Sequence, residues 1–276
     1  MSTKMKLVGC LVVAALLLAS LVMGAAAQEE SVLDEILKRG FIRVAIGLTA
    51  YPMGFRDDKG NPDGYEVDIA KLLAEKLGVK LEIVEVSGPT RISTVVAKKA
   101  DIVLSGLTRT LERAKSIAYC EIPYYISGLR FVVKPDSPYK TIEDVQAAGD
   151  KIKIGVDRGG TAEQWALKLF PNAQQMKFDS VPDGYLALSN GIVDVVVNDA
   201  ISAGVNEDKN PDKYRNLPGI VATEQQTAAV AFGDFKWWQW CNLFFHEFNT
   251  LGDNSRLYEK WLGTPPDQLL PWIEIR

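Results

Sequence analysis

The chain has 276 residues, 47 % of them apolar and 24 % charged, with a formal net charge of −4 and a mean hydropathy near zero. This composition excludes a disordered or fibrous protein, and the length suffices for two domains of about 100–150 residues. The acidic balance offers nucleic acid no basic footprint, so no nucleic-acid partner is expected.

Residues 7–27 carry no charge, follow a start whose only charges are Lys4 and Lys6, and decay into Gly24-Ala25-Ala26-Ala27. The pattern predicts a signal peptide over residues 1–27, cleaved after Ala27, because stop-transfer charges are missing. Cleavage removes Lys4 and Lys6 and no acid, which takes the charge to −6. Cys120 and Cys241 remain, and either pair in an oxidising compartment or stay as buried thiols. Leu7-Val8-Gly9-Cys10 resembles a lipoprotein box, but too few residues precede it to hold the usual apolar region, so lipid anchoring at Cys10 is not expected.

Residues 41–46 read as a strand, and 65–77 as a helix with Val67, Ile69, Leu72, Leu73 and Leu77 at 3–4 spacing. A strand at 81–86, a helix at 90–98, a short buried strand at 101–104 and a helix at 111–117 capped by Thr110 follow. A second series repeats the pattern: strands at 129–133 and 152–156, helices at 161–169 and 183–189, and a strand at 193–198. An apolar segment at 227–232 then leads to a long aromatic helix over 236–251, which holds the single histidine, His246. Such alternation predicts an α/β fold with a mostly parallel sheet in each half. Ile126-Ser127-Gly128-Leu129 passes between the halves without a turn-rich linker, and the segment near 227 returns, so two crossing strands should form a stiff hinge. The expected division is a discontinuous first lobe, 28–127 with 226–276, and a second lobe, 128–225.

One histidine without clustered cysteines makes no ordinary zinc site, and neither metal nor cofactor is expected. The chain has no nucleophile elbow, no phosphate-binding Gly-rich loop and no zinc-protease motif, which leaves carboxylates as the main enzymatic option. Gly159-Gly160-Thr161 opens a helix after a strand; its N–H groups and the Thr161 hydroxyl either receive an anion or close an ordinary capped turn. Ser105-Gly106-Leu107-Thr108 follows a buried parallel strand and so borders the crevice where α/β sheets bind ligands. Arg113, a little further on, either grips a ligand carboxylate with help from Thr108 or pairs with a surface acid. Asp199 occupies the matching place in the second half, and either takes a ligand ammonium or caps a helix.

Gly64-Tyr65-Glu66-Val67-Asp68-Ile69-Ala70-Lys71-Leu72-Leu73 resembles the signature of the family 3 extracellular solute-binding proteins, the periplasmic amino-acid receptors of ABC importers. The likeness continues through Thr108-Arg109-Thr110-Leu111-Glu112-Arg113, Val156-Asp157-Arg158-Gly159-Gly160-Thr161, Val197-Asn198-Asp199-Ala200 and Tyr258-Glu259-Lys260-Trp261-Leu262-Gly263. The resemblance implies a two-lobed type II periplasmic binding protein, a Venus flytrap. In it Arg113 would hold the α-carboxylate, assisted by Thr108 and the backbone at Gly160 and Thr161. Asp199 would hold the α-ammonium, with Ser105 or the Gly106 carbonyl completing its shell. It also implies a monomeric, non-enzymatic receptor in the periplasm that delivers a free amino acid to an ABC transporter permease in the inner membrane.

Members that take basic amino acids often carry an acid after the first strand, where this chain has Leu48-Thr49-Ala50-Tyr51, so a basic ligand is disfavoured. Arg91 stands where acidic-amino-acid binders of the family carry an arginine, which implies an acidic ligand or else another polar or sulfur amino acid. Tyr51, Phe55 and Trp165 are candidate aromatic walls. The Gly-Gly-Thr triplet also occurs in cyclohexadienyl dehydratases, enzymes on the same scaffold. Ala200-Ile201-Ser202-Ala203 supplies no glutamate for such a reaction, so binding without chemistry is the expectation.

Overall fold

The computed structural model describes residues 30–263. The expected leader, Cys10 and residues 264–276 lie outside the described residues.

Helix α1 (Val32–Arg39) starts at Ser31, whose hydroxyl accepts from Leu33 N, and stops at Gly40 with φ 77°. Strand β1 (Phe41–Ile46), the short strands β2 (Phe55–Arg56) and β3 (Pro62–Asp63), and helix α2 (Tyr65–Leu77) follow. Next come β4 (Lys80–Glu85), α3 (Arg91–Val96), β5 (Ile102–Val103) and β6 (Ala118–Tyr119). The long strand β7 (Tyr125–Val133) leads to α4 (Ile142–Ala148), β8 (Lys153–Asp157), α5 (Thr161–Leu169), β9 (Gln174–Phe178) and α6 (Val181–Ser189). The chain continues through β10 (Val195–Asp199), α7 (Ala200–Lys209), β11 (Arg215–Asn216), β12 (Val221–Gln226), β13 (Ala229–Val230), α8 (Phe235–Thr250) and α9 (Asp253–Leu262).

These strands build two main sheets. The first runs β4-β1-β5-β13-β6, with β1 parallel to β4 and β5 and with β13 antiparallel to both its neighbours. The second runs β11-β7-β10-β8-β9, with β8, β9 and β10 mutually parallel and β7 antiparallel to β10. Helix α8 explains why the end of the chain belongs with its beginning. Trp237, Cys241, Phe244, Phe245 and Phe248 form one buried helical face, and they share a core with Ile42, Val44, Tyr65, Ile69 and Leu73. Cys120 and Cys241 lie in that core as free, fully buried thiols. His246 is on the exposed side of the same helix. Among the described residues no helix is long and apolar enough to cross a membrane.

Two strands cross between the sheets. The first half of β7 pairs antiparallel with β12, placing Tyr125 opposite Gln226, Ser127 opposite Glu224 and Leu129 opposite Val221. The register slips between Val221 and Thr223, where Ala222 sits at φ 58°, so β12 bulges. A Cβ on Gly128 would collide with Ile220 Cγ2 and the Ala222 carbonyl, so the bulge can press on β7 only at a glycine.

The structure differs from the sequence reading in several places: the second sheet is not mostly parallel, since β7 pairs antiparallel with β10, β11 and β12, and two expected elements are replaced. The helix expected at 111–117 is a single 3-10 turn, Arg113–Lys115; Thr110 Oγ1 does accept from Arg113 N at 3.2 Å, but Leu111 is 90 % exposed and gives the turn no apolar face to bury. The returning strand is β12, and the apolar segment 227–232 contributes only Ala229–Val230, inside the first sheet.

Candidate functional site

A cavity of about 150 Å³ opens where the carboxyl ends of β1, β5, β8 and β10 meet the two crossing strands. Chain ends of parallel strands converge there, each followed by a turn whose N–H groups are free to face a ligand. From the first sheet come Gly47, Ser105, Gly106 and Thr108. The second sheet supplies Asp157, Gly160, Thr161 and Asp199, and the crossing strands supply Tyr125, Leu129, Glu224 and Gln226.

Helix α2 begins at Gly64, whose φ of 126° suits the tight approach to Met53 O, 2.5 Å from where a Cβ would stand. Its first turn sends Glu66 inward. One carboxylate oxygen of Glu66 accepts from Gly106 N at 2.6 Å and from the Tyr124 hydroxyl at 2.6 Å. Burial raises the Glu66 carboxyl above its ordinary range, against those two hydrogen bonds and the nearby Arg91. Arg91 opens α3, is 8 % exposed, and donates through Nη1 to the Ser105 carbonyl at 2.6 Å and the Gly106 carbonyl at 3.1 Å. Its Nε is buried with no partner. Burial, with Arg113 adding to it, pushes the guanidinium down to about 10, while Glu66 and Asp157 hold its charge in place.

Asp199 ends β10 and caps α7. Oδ1 accepts from Ile201 N at 2.9 Å and Ser202 N at 3.2 Å, while Oδ2 is buried and unpartnered. Burial pushes this carboxyl up to about 6, against help from Ser127 and the two backbone donors; the Glu224 charge raises it further. Asp157, at the end of β8, is also raised to about 6 by burial, with Arg91 opposing. Helix α5 starts at Gly160 without a side-chain cap, so its first N–H groups are left for whatever enters the cavity.

The expected residues divide into those that line this cavity and those that do not. Arg91, Ser105, Gly106, Thr108, Gly160, Thr161 and Asp199 line it. Arg113 lies just behind, 9 % exposed, donating through Nη1 to the Thr108 carbonyl and through Nη2 to the Gly159 carbonyl, both at 2.8 Å. Thr108 Oγ1 is 3.0 Å from Glu224 Oε2 and 3.2 Å from Gln226 Oε1. Tyr51 is not part of the lining: its ring packs on Phe55 and lies under Lys209 Nζ, 3.3 Å from the ring centroid. Phe55 meets Trp261 and Trp165 packs against the second core, so neither is a cavity wall.

Sequence reading missed four carboxylates of the lining: Glu66, Asp157, Asp179 and Glu224. The surroundings of Asp199 are therefore richer in titrating groups than the Ala-Ile-Ser-Ala run implied. Glu66 and Asp157 stood inside the quoted motifs and had a readable signal; Glu224 was hidden because its strand was not recognised.

Residues 42–264 match the sequence model of the bacterial extracellular solute-binding proteins, family 3. The L-cystine-binding protein TcyJ of Escherichia coli is 26 % identical over 237 residues, spanning 85 % of this chain and 87 % of that protein. The cyclohexadienyl dehydratase of Pseudomonas aeruginosa is 31 % identical over 186 residues, 67 % of this chain and 68 % of the enzyme. Among solved structures, an ancestral amino acid-binding protein described as a precursor of cyclohexadienyl dehydratase superposes with a TM-score of 0.78 at 32 % identity, covering 84 % of this chain and 100 % of that one.

Proposed function

The chain belongs to the bacterial extracellular solute-binding proteins of family 3, and from that membership we propose that it is a periplasmic receptor that captures a free polar amino acid between two lobes and hands it to an ABC importer. The fold is the two-lobed type II form of that family. The proposed lobes are 28–127 with 226–276, and 128–225, exported by the leader at 1–27. The molecule acts as a monomer and docks on a permease in the inner membrane.

One observation supports this reading most: Asp199 Oδ2 and Arg91 Nε are both buried, both without partners, and both line one cavity. A buried polar atom left unpaired costs about 1–3 kcal/mol, a cost that a zwitterionic ligand removes. Asp199 takes the α-ammonium. Arg113 takes the α-carboxylate by exchanging its bond to the Gly159 carbonyl for the ligand, at the spot where α5 presents uncapped N–H groups. Because Arg113 and Asp199 sit on different lobes, a zwitterion touching both favours the closed form, and that difference in contact drives closure.

The preference for an acidic side chain rests on Arg91 and its unpaired Nε. Asp179 pairs with Arg158 at 2.6 Å, while Glu66, Asp157 and Glu224 share the lining with Arg91. A thermal-shift screen of the purified protein against the twenty amino acids and cystine tests the receptor reading. Ligand at 100 times its dissociation constant adds about 2.7 kcal/mol of stability. A flat response to every compound would sink it.

Asp157 favours a second reading, an enzyme of the dehydratase type. A carboxyl raised to about 6 in the cavity can donate a proton to a leaving hydroxyl. Incubation with prephenate or arogenate decides between them: no aromatic product is expected, and turnover would make the protein a dehydratase.

A further inference from the structure

Glu224 is a cavity residue that neither the family signature nor the two-ended clamp uses. It is 5 % exposed, and it lies on the returning strand β12, opposite Ser127 of β7. Asp199 pairs with the other edge of β7, opposite Leu129. Ser127 and Leu129 are two residues apart on one strand, so their side chains, and those of their direct cross-strand partners, leave the same face of the sheet. Glu224 and Asp199 therefore point to one side of β7 from its two flanks, into one cavity. Each carboxylate has one oxygen engaged by the protein and one free. Glu224 Oε2 accepts from the Thr108 hydroxyl and from Gln226 Nε2, while Oε1 is buried with no partner, as is Asp199 Oδ2.

Two unpaired anionic oxygens turned into one enclosed space repel each other unless a cation or a proton sits between them. We propose that Glu224 is a second ammonium-binding residue, and that Glu224 and Asp199 together form a two-carboxylate cradle selecting ligands with a primary ammonium. The inference rests on the amino-acid-receptor reading and extends it. A primary ammonium has three N–H donors. Asp199 Oδ2 takes one and Glu224 Oε1 a second, and the Gly106 carbonyl, at the cavity edge, takes the third. A hydroxyl, with one donor, leaves a carboxylate oxygen unpaired, and an N-alkylated amine, with two, leaves the third acceptor unpaired and must fit its alkyl group there. Glu224 also stands on a crossing strand, so the cradle joins one lobe to the hinge and reports ligand occupancy directly to the strands that must bend.

The test compares Glu224→Gln with the wild type by titration calorimetry. Ligands are the twenty amino acids and cystine, together with the 2-hydroxy acid counterpart of each compound that the wild type binds. Substitution by glutamine keeps size and hydrogen bonding to Thr108 while removing the charge. The expected result is that Glu224→Gln weakens the amino acids about 10–100-fold, the range for a hydrogen bond to a charged group, and leaves the 2-hydroxy acids within about threefold of wild type. An equal loss for both, or no loss for either, would overturn the cradle and leave Glu224 as a structural partner of Thr108. The thermal midpoint of the unliganded variant checks folding, and Glu224→Asp, which keeps the charge, should restore part of the lost affinity. No binding of any of these compounds by the wild type would overturn the receptor reading, and this inference with it.

Discussion

Asp199 divides its work between two oxygens. Sequence reading left it as either a helix cap or an ammonium ligand, and the structure shows one oxygen capping α7 and the other unpaired in the cavity. Burial raises it, like Asp157, to about 6 against an ordinary carboxylate near 3.8. For the unliganded protein the sign is that of a raised acid: the contribution to stability is full below about pH 4 and is lost as the pH rises through about 6. Ligand binding has the opposite sign, because the ammonium needs the ionised form and protons compete with it. Calorimetry at pH 5.0, 6.0 and 7.5 (roughly one unit either side of the transition) should show affinity falling toward the acid end. A flat profile would mean that Asp199 does not face the ammonium.

The two arginines make a second prediction at this scale. Arg113→Ala should abolish binding of every amino acid, since it removes the proposed α-carboxylate partner. Arg91→Ala should weaken acidic amino acids and spare neutral ones; an equal loss for both would remove the acidic preference. Asp199 stood out as a candidate at the end of a readable strand, Arg113 beyond the short buried strand β5, and Arg91 through the family resemblance. Glu224 did not, because the six residues of β12, Val-Ala-Thr-Glu-Gln-Gln, show neither the alternation nor the apolar run that marks a strand. A crossing strand that borders a polar cavity has no need of that pattern.

The legible elements were those with an apolar face. Helix α2 follows its 3–4 spacing from Tyr65 to Leu77, and α8 follows its aromatic face. Helix α7 escaped notice because it buries only Ser202 and Ala203, and the helix expected at 111–117 failed for the same lack of apolar contact. The hinge pair β7 and β12 is more demanding, since Gly128 faces a bulge that leaves no room for a Cβ. Gly128→Ala should cost about 1–3 kcal/mol, the usual penalty for overpacking a tight site, as measured by urea unfolding. A wild-type midpoint in that variant would show that β12 yields more easily than its bulge suggests.

Across the whole molecule, the lobes already touch. Arg113 reaches the Gly159 carbonyl, Lys209 lies over Tyr51, and a Cβ on Gly88 would come within 2.5 Å of the Arg158 carbonyl. None of these contacts belongs to the core of either sheet, and together they describe a closed clamp. Gly88→Leu should therefore prop the lobes apart, leaving the thermal midpoint of the unliganded protein nearly unchanged while weakening amino-acid binding at least about tenfold, the effect of a clash worth more than about 1.4 kcal/mol in the closed form. A larger radius of gyration in solution scattering would accompany it. The two-lobed plan was readable from the repeated strand-and-helix series. Closure was not, because it depends on side chains and backbone atoms far apart in sequence, Arg113 with Gly159, Lys209 with Tyr51 and Gly88 with Arg158, and no local pattern records such pairs.

The most direct measurement is titration calorimetry of the purified protein with the twenty amino acids and cystine at pH 7.5. A single polar amino acid, or a small group of them, should bind with a stoichiometry of one, and Arg113→Ala and Asp199→Asn should each abolish the heat. Binding that survives both substitutions, or no heat with any amino acid, would contradict a receptor that clamps a zwitterion between its lobes.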